Sequence, residues 1–163
     1  MKWHSALDRA LSRLVAQVRG EVLAPEDAGY EEELAGFNRI WLADHRPHVV
    51  VAARATADVR AAVSFAAELG LPVGVQATGH GTAAPACGGV LVSTRRMNAV
   101  TVDPLTRTAQ VEAGARWHQV IARAAAHGLA PLNGSSPSSG WSATPWAAAS
   151  ARWDGGTDTR RTS

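Results

Sequence analysis

A strand–helix–strand pattern over residues 47–76 constrains the fold most. Pro47 introduces His48-Val49-Val50-Val51-Ala52, a short β-branched run that reads as a buried strand. Thr56 is placed to cap the next helix, with Asp58 in its first turn. Val59, Ala62, Val63, Ala66 and Leu69 form its apolar stripe, and Gly70 ends it. Pro72 to Gln76 is the second strand. Two strands joined through a helix are expected to be parallel, with a right-handed crossover.

Beyond the second strand stands Gln76-Ala77-Thr78-Gly79-His80-Gly81-Thr82, the start of a small-residue loop that runs to Gly88-Gly89. Ligands of open α/β sheets bind at the carboxyl ends of strands, which is where this loop falls. Glycine permits positive φ and close approach of a ligand, and successive N–H groups in such a loop form an anion-binding concavity suited to phosphate. His80 would stand beside whatever the loop holds. A tight turn is the alternative. Thr78 and Thr82 are placed either to bond phosphate or to bond the local backbone.

The flanking segments complete an α+β reading. Ser5 to Arg19 has apolar residues at helical spacing (Leu7, Leu11, Leu14, Val15, Val18), with Gly20 as its stop. Tyr30 to Phe37 is a short helix with an acidic start, and Asn38 to Arg46 is irregular. Gly89 to Ser93, Ala99 to Asp103 and Thr108 to Glu112 are strands. The last two are joined antiparallel by a turn at Asp103-Pro104. Arg116 to His127 is a helix closed by Gly128. A small parallel βαβ unit thus feeds a mostly antiparallel sheet with flanking helices. The division is an N-terminal helical segment (1–46), a core unit (47–138) and a tail (139–163).

Composition bounds the rest. A chain of 163 residues that is 46% hydrophobic and 18% charged forms one globular domain rather than a disordered chain. A formal charge of +2 with scattered basic residues gives no nucleic-acid footprint. Arg95-Arg96 and Arg160-Arg161 read as solvated pairs. No apolar run reaches membrane-span length, and no signal-peptide core is evident. The single cysteine, Cys87, excludes an intrachain disulfide or a cysteine-based zinc site, and reads as a small buried residue. The cytoplasm is the expected compartment. Of the six histidines, His4, His45, His48, His118 and His127 read as surface or helix-face residues.

Taken in order, Pro47 to Val51, Asp58-Val59, Gly70-Leu71-Pro72-Val73, Gln76 to Gly81, Gly89-Val90-Leu91-Val92, Val111-Glu112-Ala113-Gly114-Ala115 and Gly134-Ser135-Ser136-Pro137 resemble the FAD-binding (PCMH-type) domain of the vanillyl-alcohol oxidase and p-cresol methylhydroxylase flavoproteins. The similarity is greatest to the berberine-bridge-enzyme-like oxidoreductases. The resemblance covers residues 20–138. It implies that Gln76, Ala77, Thr78, Gly79, His80, Gly81 and Thr82 wrap the FAD pyrophosphate, and that His80 bonds covalently to the flavin's ring methyl group. It implies further cofactor-lining positions at Gly114, Gly134, Ser136 and Pro137. Some members carry a second, cysteine-borne link in the loop matching Gly134 to Pro137. Ser135 and Ser136 stand there, so a single attachment is expected. The implied reaction is hydride transfer from a small organic substrate, often an alcohol or sugar, to the flavin. No catalytic acid or base is assigned, and no metal.

After Ser138 the character changes. Residues 139–163 hold no Leu, Ile, Val, Phe or Met, yet contain Trp141, Trp146 and Trp153, half of the chain's six tryptophans. The genetic code offers an account. If one base is lost near Ser139, each observed third base begins an original codon. Trp141 followed by Ser142 then reads Val by the TC-type serine codons, while Trp146-Ala147 and Trp153-Asp154 each must read Gly. Free third bases allow the whole stretch to read GVVGYTLGGGLGPLGRRYGHAAD, which is similar to the family's glycine-rich continuation. The expectation is a frameshifted product, an incomplete cofactor domain without its substrate domain. An evolved, disordered tail is the alternative for the stretch itself. A non-catalytic dinucleotide-binding or interaction module is the alternative for function.

Overall fold

The computed structural model describes residues 3–37, 44–80, 86–131 and 136–141. Its elements, in order, are α1 (Trp3–Gln17), β1 (Glu21–Leu23), α2 (Tyr30–Leu34), β2 (Val49–Ala52), α3 (Thr56–Leu69), β3 (Val73–Gln76), β4 (Val90–Ser93), β5 (Val100–Asp103), β6 (Thr108–Val111) and α4 (Trp117–Ala125).

Strands β1, β2, β4 and β3 form one sheet in that spatial order. β2 and β3 are parallel as their βαβ pattern requires, but β4 lies between them and is parallel to both. The parallel part of the sheet is therefore larger than the sequence suggests. Among the described residues the antiparallel strand pairs are β1 with β2 and the β5–β6 hairpin. β1 is a strand inside the segment read as helical. Its three residues are too few for an alternating pattern to show.

The central strands β2 and β4 are buried along their whole length, so both faces of the sheet are covered. On one face Val49, Val51, Val90 and Val92 meet Ala10 and Leu14 of α1 and Ala62, Phe65 and Ala66 of α3. On the other, Val50 and Leu91 meet Leu23, Tyr30 and Leu34. Strand alternation sends Val50 away from Val49 and Val51. A third cluster joins Trp117, Val120 and Ala124 of α4 to Val100, Val102, Ala109 and Val111 of the hairpin, with Trp141 packed against it. The stripes of α1 and α3 are narrower than their spacing implies, since Leu7, Val15 and Val63 remain exposed.

Local chemistry explains the joints. Thr56 begins α3 rather than capping it; the N-cap is Ala55, with no side-chain bond. Asp58 instead reaches back to the Arg54 N–H at 2.8 Å. The same carboxylate accepts the N–H groups of Arg19 (3.0 Å) and Gly20 (3.2 Å), which ties the end of α1 to the start of α3. Gly70 closes α3 in the left-handed region with φ 65°. Asp103 Oδ1 accepts the Leu105 and Thr106 N–H groups in the hairpin turn.

The structure differs from the sequence reading at Arg95-Arg96, His45 and Cys87. Arg96 is not a solvated turn residue: it bridges Glu21 (2.7 Å) and the buried Glu33 (2.8 Å), while Arg95 donates to the Ala35 carbonyl. His45 is buried, its Nδ1 accepting the Ala86 N–H at 2.8 Å. Cys87 is exposed, its thiol donating to the Asp44 carbonyl at 2.9 Å. In each case the partner is far away in sequence.

Candidate functional site

The loop after β3 starts from a fixed base. The Gln76 carbonyl accepts the Thr94 N–H at 2.9 Å. Its buried side-chain amide donates to the Leu34 and Glu33 carbonyls at 3.1 and 3.4 Å. Those carbonyls end α2 and have no helical partner of their own. Gln76 thus anchors the loop from below. Ala77 is half-buried.

Thr78 is the crossing point. It is buried, its carbonyl accepts the Phe37 N–H at 2.8 Å, and its hydroxyl meets two groups. The Gly140 N–H donates to Thr78 Oγ1 at 3.2 Å, and His80 Nδ1 lies 2.8 Å from the same oxygen. Gly79 follows with φ 71° and is packed against Gly36. A Cβ on Gly36 would lie 2.9 Å from the Gly79 Cα, so two backbones meet where no side chain fits.

His80 is half-buried and lies flat on the Phe37 ring, with centroids 3.9 Å apart and planes 8° from parallel. Its Nε2 is buried and has no hydrogen-bond partner among the described residues. Burial, with the positive charge of Arg116, holds its pKa below the ordinary imidazole value. The ring is therefore neutral near pH 7. One nitrogen is held and the other is buried without a partner.

Segment 136–141 lies across the start of α4. The Pro137 carbonyl accepts the His118 N–H (2.9 Å), and the Ser139 carbonyl accepts the Trp117 N–H (3.1 Å). These are N–H groups that a helix start leaves without helical partners. Ser136 Oγ lies 2.9 Å from Ser138 Oγ, and the Ser136 carbonyl accepts the Ser139 hydroxyl at 2.7 Å. Trp141 donates from its backbone N–H to Ala115 (3.1 Å) and from its ring Nε1 to Glu112 (2.8 Å). Residues 139–141 are thus built into the fold. Residues 142–163 lie outside the described residues.

Gly114 is buried against the 94–97 turn. Its N–H donates to the Met97 carbonyl at 2.8 Å, and a Cβ there would run into the Thr94 carbonyl. Gly81, Thr82 and Gly134 lie outside the described residues. The structure therefore brings Thr78, Gly79 and His80 together with Gly36, Phe37 and Gly140, three residues the sequence reading did not single out. Gly36-Phe37 follows a short acidic helix and carries no motif. The sequence reading ran the helix to Phe37, whereas α2 ends at Leu34 and leaves Phe37 beyond it.

A family profile described as FAD binding domain matches residues 47–156. The chain belongs to this family, within the vanillyl-alcohol oxidase and p-cresol methylhydroxylase flavoproteins. FAD is the cofactor that its domain serves. The chain is 29% identical over 128 residues to (R)-6-hydroxynicotine oxidase of Paenarthrobacter nicotinovorans, covering 76% of this chain and 27% of that protein. Over 79 residues it is 38% identical to an uncharacterized oxidoreductase, ORF5 of the fasciation locus of Rhodococcoides fascians, covering 47% of this chain and 18% of that one. Among solved structures, 6-hydroxy-D-nicotine oxidase from Arthrobacter nicotinovorans superposes with a TM-score of 0.70 at 28% identity, covering 76% of this chain and 27% of its own. The carbohydrate oxidase of Microdochium nivale follows at a TM-score of 0.66 and 26% identity, covering 80% and 28%. The chain spans less than a third of the length of these relatives.

The residues present fit a flavin cofactor on structural grounds. A buried nitrogen without a partner, on a neutral imidazole, stands at the carboxyl edge of a parallel sheet, on a loop whose backbone is tightly packed. Among the described residues no helix is long and apolar enough to cross a membrane.

Proposed function

We propose that this chain is the FAD-binding portion of an FAD-dependent oxidoreductase, and that His80 carries the flavin covalently. The observation that supports this is the buried, unpartnered Nε2 of His80, held at the sheet edge by Thr78 and Phe37. Bound FAD supplies the hydride acceptor; the protein binds, orients and tunes it. An imidazolyl substituent anchors the cofactor and withdraws electrons from the ring, raising its redox potential. The hydride donor in the full-length protein is a small organic molecule. An alcohol or a sugar is the class of donor we favour, and the similarity to a carbohydrate oxidase supports it. The chain spans too little of its relatives for one substrate to be chosen.

The test is colour that survives denaturation. Purified chain incubated with FAD should remain yellow after acid precipitation, and His80→Ala should lose the colour to the supernatant. Wild-type protein that releases all its FAD into acid would remove the covalent reading while leaving the domain assignment intact.

We propose also that the stretch from near Ser139 onward is a frameshifted reading of the family's glycine-rich continuation. The forced codons support it, since Trp146-Ala147 and Trp153-Asp154 each give Gly in the shifted frame. Sequencing the coding DNA decides it. A shifted frame that does not restore the glycine-rich string contradicts the proposal.

A further inference from the structure

The parallel strands have two ends, and the loop that carries His80 stands at the carboxyl one. At the other, where β2 begins and the chain approaches β3, lies a cavity of about 500 Å³. Leu7 and Leu11 of α1, Phe65 and Leu69 of α3, Val49 of β2 and Leu71 before β3 form its wall. Val49 and Phe65 belong to the buried core, and Leu11, Leu69 and Leu71 pack against it. Leu7, at the rim, is 46% exposed. The cavity therefore runs from the core to the surface. Close packing ordinarily leaves few voids larger than a water molecule. An apolar cavity of about 150 Å³ already stays dry and takes up benzene. Mostly apolar pockets of about 300–1,000 Å³ are the ones that hold small molecules, oriented by a few polar groups. Volume and lining place this cavity in that class.

Two polar side chains stand among the apolar ones, Glu26 and His48. Both residues are exposed, and among the described residues neither side chain makes a hydrogen bond or an ion pair. Arg13, which joins α1 to α3, is already paired with Glu68 at 2.6 Å. An ionised carboxylate only accepts hydrogen bonds, and an imidazole ring nitrogen beside it is able to accept another. A cationic donor suits both groups, whereas an anion meets the charge of Glu26. We propose that this cavity is a ligand site, separate from the cofactor loop, for a small amphiphilic amine. Its alkyl or aryl-alkyl body fills the apolar chamber, and its ammonium head stands at Glu26 and His48. Burial of the body supplies most of the affinity. The head, near solvent, contributes less to affinity and more to selectivity. The walls come from α1, α3 and β2, so the ligand recognises the folded chain and raises its stability. The site depends neither on the flavin nor on its attachment.

The experiment titrates the full chain with octylamine, and with octanol and octanoate as its neutral and anionic counterparts. Methyl NMR should show saturable shifts at Leu7, Leu11, Leu69 and Leu71, with the Thr78 and His80 resonances unmoved. The thermal unfolding midpoint should rise with octylamine and level off. Octylamine should bind about threefold tighter than octanol, with octanoate the weakest of the three. Glu26→Gln should abolish the preference for the amine and leave octanol binding unchanged. Leu7→Trp should fill the mouth and weaken all three ligands at least about tenfold. If Leu7→Trp does not fold, the wild-type shifts and Glu26→Gln still decide. Shifts that do not saturate or that fall elsewhere on the chain overturn the proposal, as does octanoate binding as tightly as octylamine. A dimer in sedimentation whose contacts map to Leu7 and Leu11 also overturns it, because a second copy then covers the cavity.

Discussion

The rings of Phe37 and His80 stack nearly parallel, with centroids 3.9 Å apart, although Phe37 is 69% exposed. An exposed aromatic contributes little to folding, so its contact with the histidine is the larger part of what it does. Phe37→Ala is expected to lower stability by less than about 1 kcal/mol. The same change should slow covalent flavin incorporation, because the imidazole loses the surface that fixes its plane. Denaturant unfolding and acid-stable absorbance, measured on the same preparation, separate the two effects. A large stability loss with unchanged incorporation contradicts this role.

The turn beneath the histidine depends on two glycines meeting. Gly79 has φ 71°, and its Cβ would have to occupy space held by Gly36. Gly79→Ala combines left-handed strain of about 1–2 kcal/mol with overpacking of about 1–3 kcal/mol. Gly36→Ala carries only the second, since its Cβ would press on the Gly79 Cα at 2.9 Å. Chemical denaturation should rank the two variants in that order. The double variant should fall short of additivity, because both disturb one contact.

Asp58 joins segments that lie far apart in sequence. Its carboxylate is wholly buried and accepts N–H groups from Arg19, Gly20 and Arg54. Burial alone would raise its pKa, but the backbone N–H groups outweigh it and hold the value below the usual one. A depressed folded-state pKa contributes stability that is present above the unfolded value of about 3.9 and lost as pH falls through the folded one. Asp58→Asn keeps the shape but removes the charge, and should cost about 2–4 kcal/mol near pH 7. The variant should also show a flatter loss of stability below about pH 4. Denaturant melts across that range check both.

How much of this was legible in the sequence depends on whether the partner is local. The βαβ pattern, the Gly70 stop and the hairpin at Asp103 rest on neighbours in the chain, and the structure has all of them. β4 falling between β2 and β3 is a matter of long-range pairing that no local pattern encodes. The same holds for Arg96, whose partners Glu21 and Glu33 lie on other elements. In the site, His80 was legible because two glycines frame it. Phe37 and Gly140 were not, because their meaning comes only from the fold that brings them to Thr78 and His80.

The pH response of His80 follows from its surroundings. Burial and the Arg116 charge both lower its pKa below the ordinary imidazole value of about 6.5. Covalent attachment, which needs the neutral ring, should fall to half its rate at a pH below that value. A rate that halves at about pH 6.5 contradicts the environment described.

The account as a whole rests on His80 as the point of flavin attachment. Mass spectrometry of the peptide spanning residues 77–95, from protein loaded with FAD and then denatured, tests it most directly. The prediction is a peptide carrying FAD less two hydrogens, with the modification on His80. An unmodified His80 alongside flavin bound elsewhere, or flavin wholly released on denaturation, would contradict it.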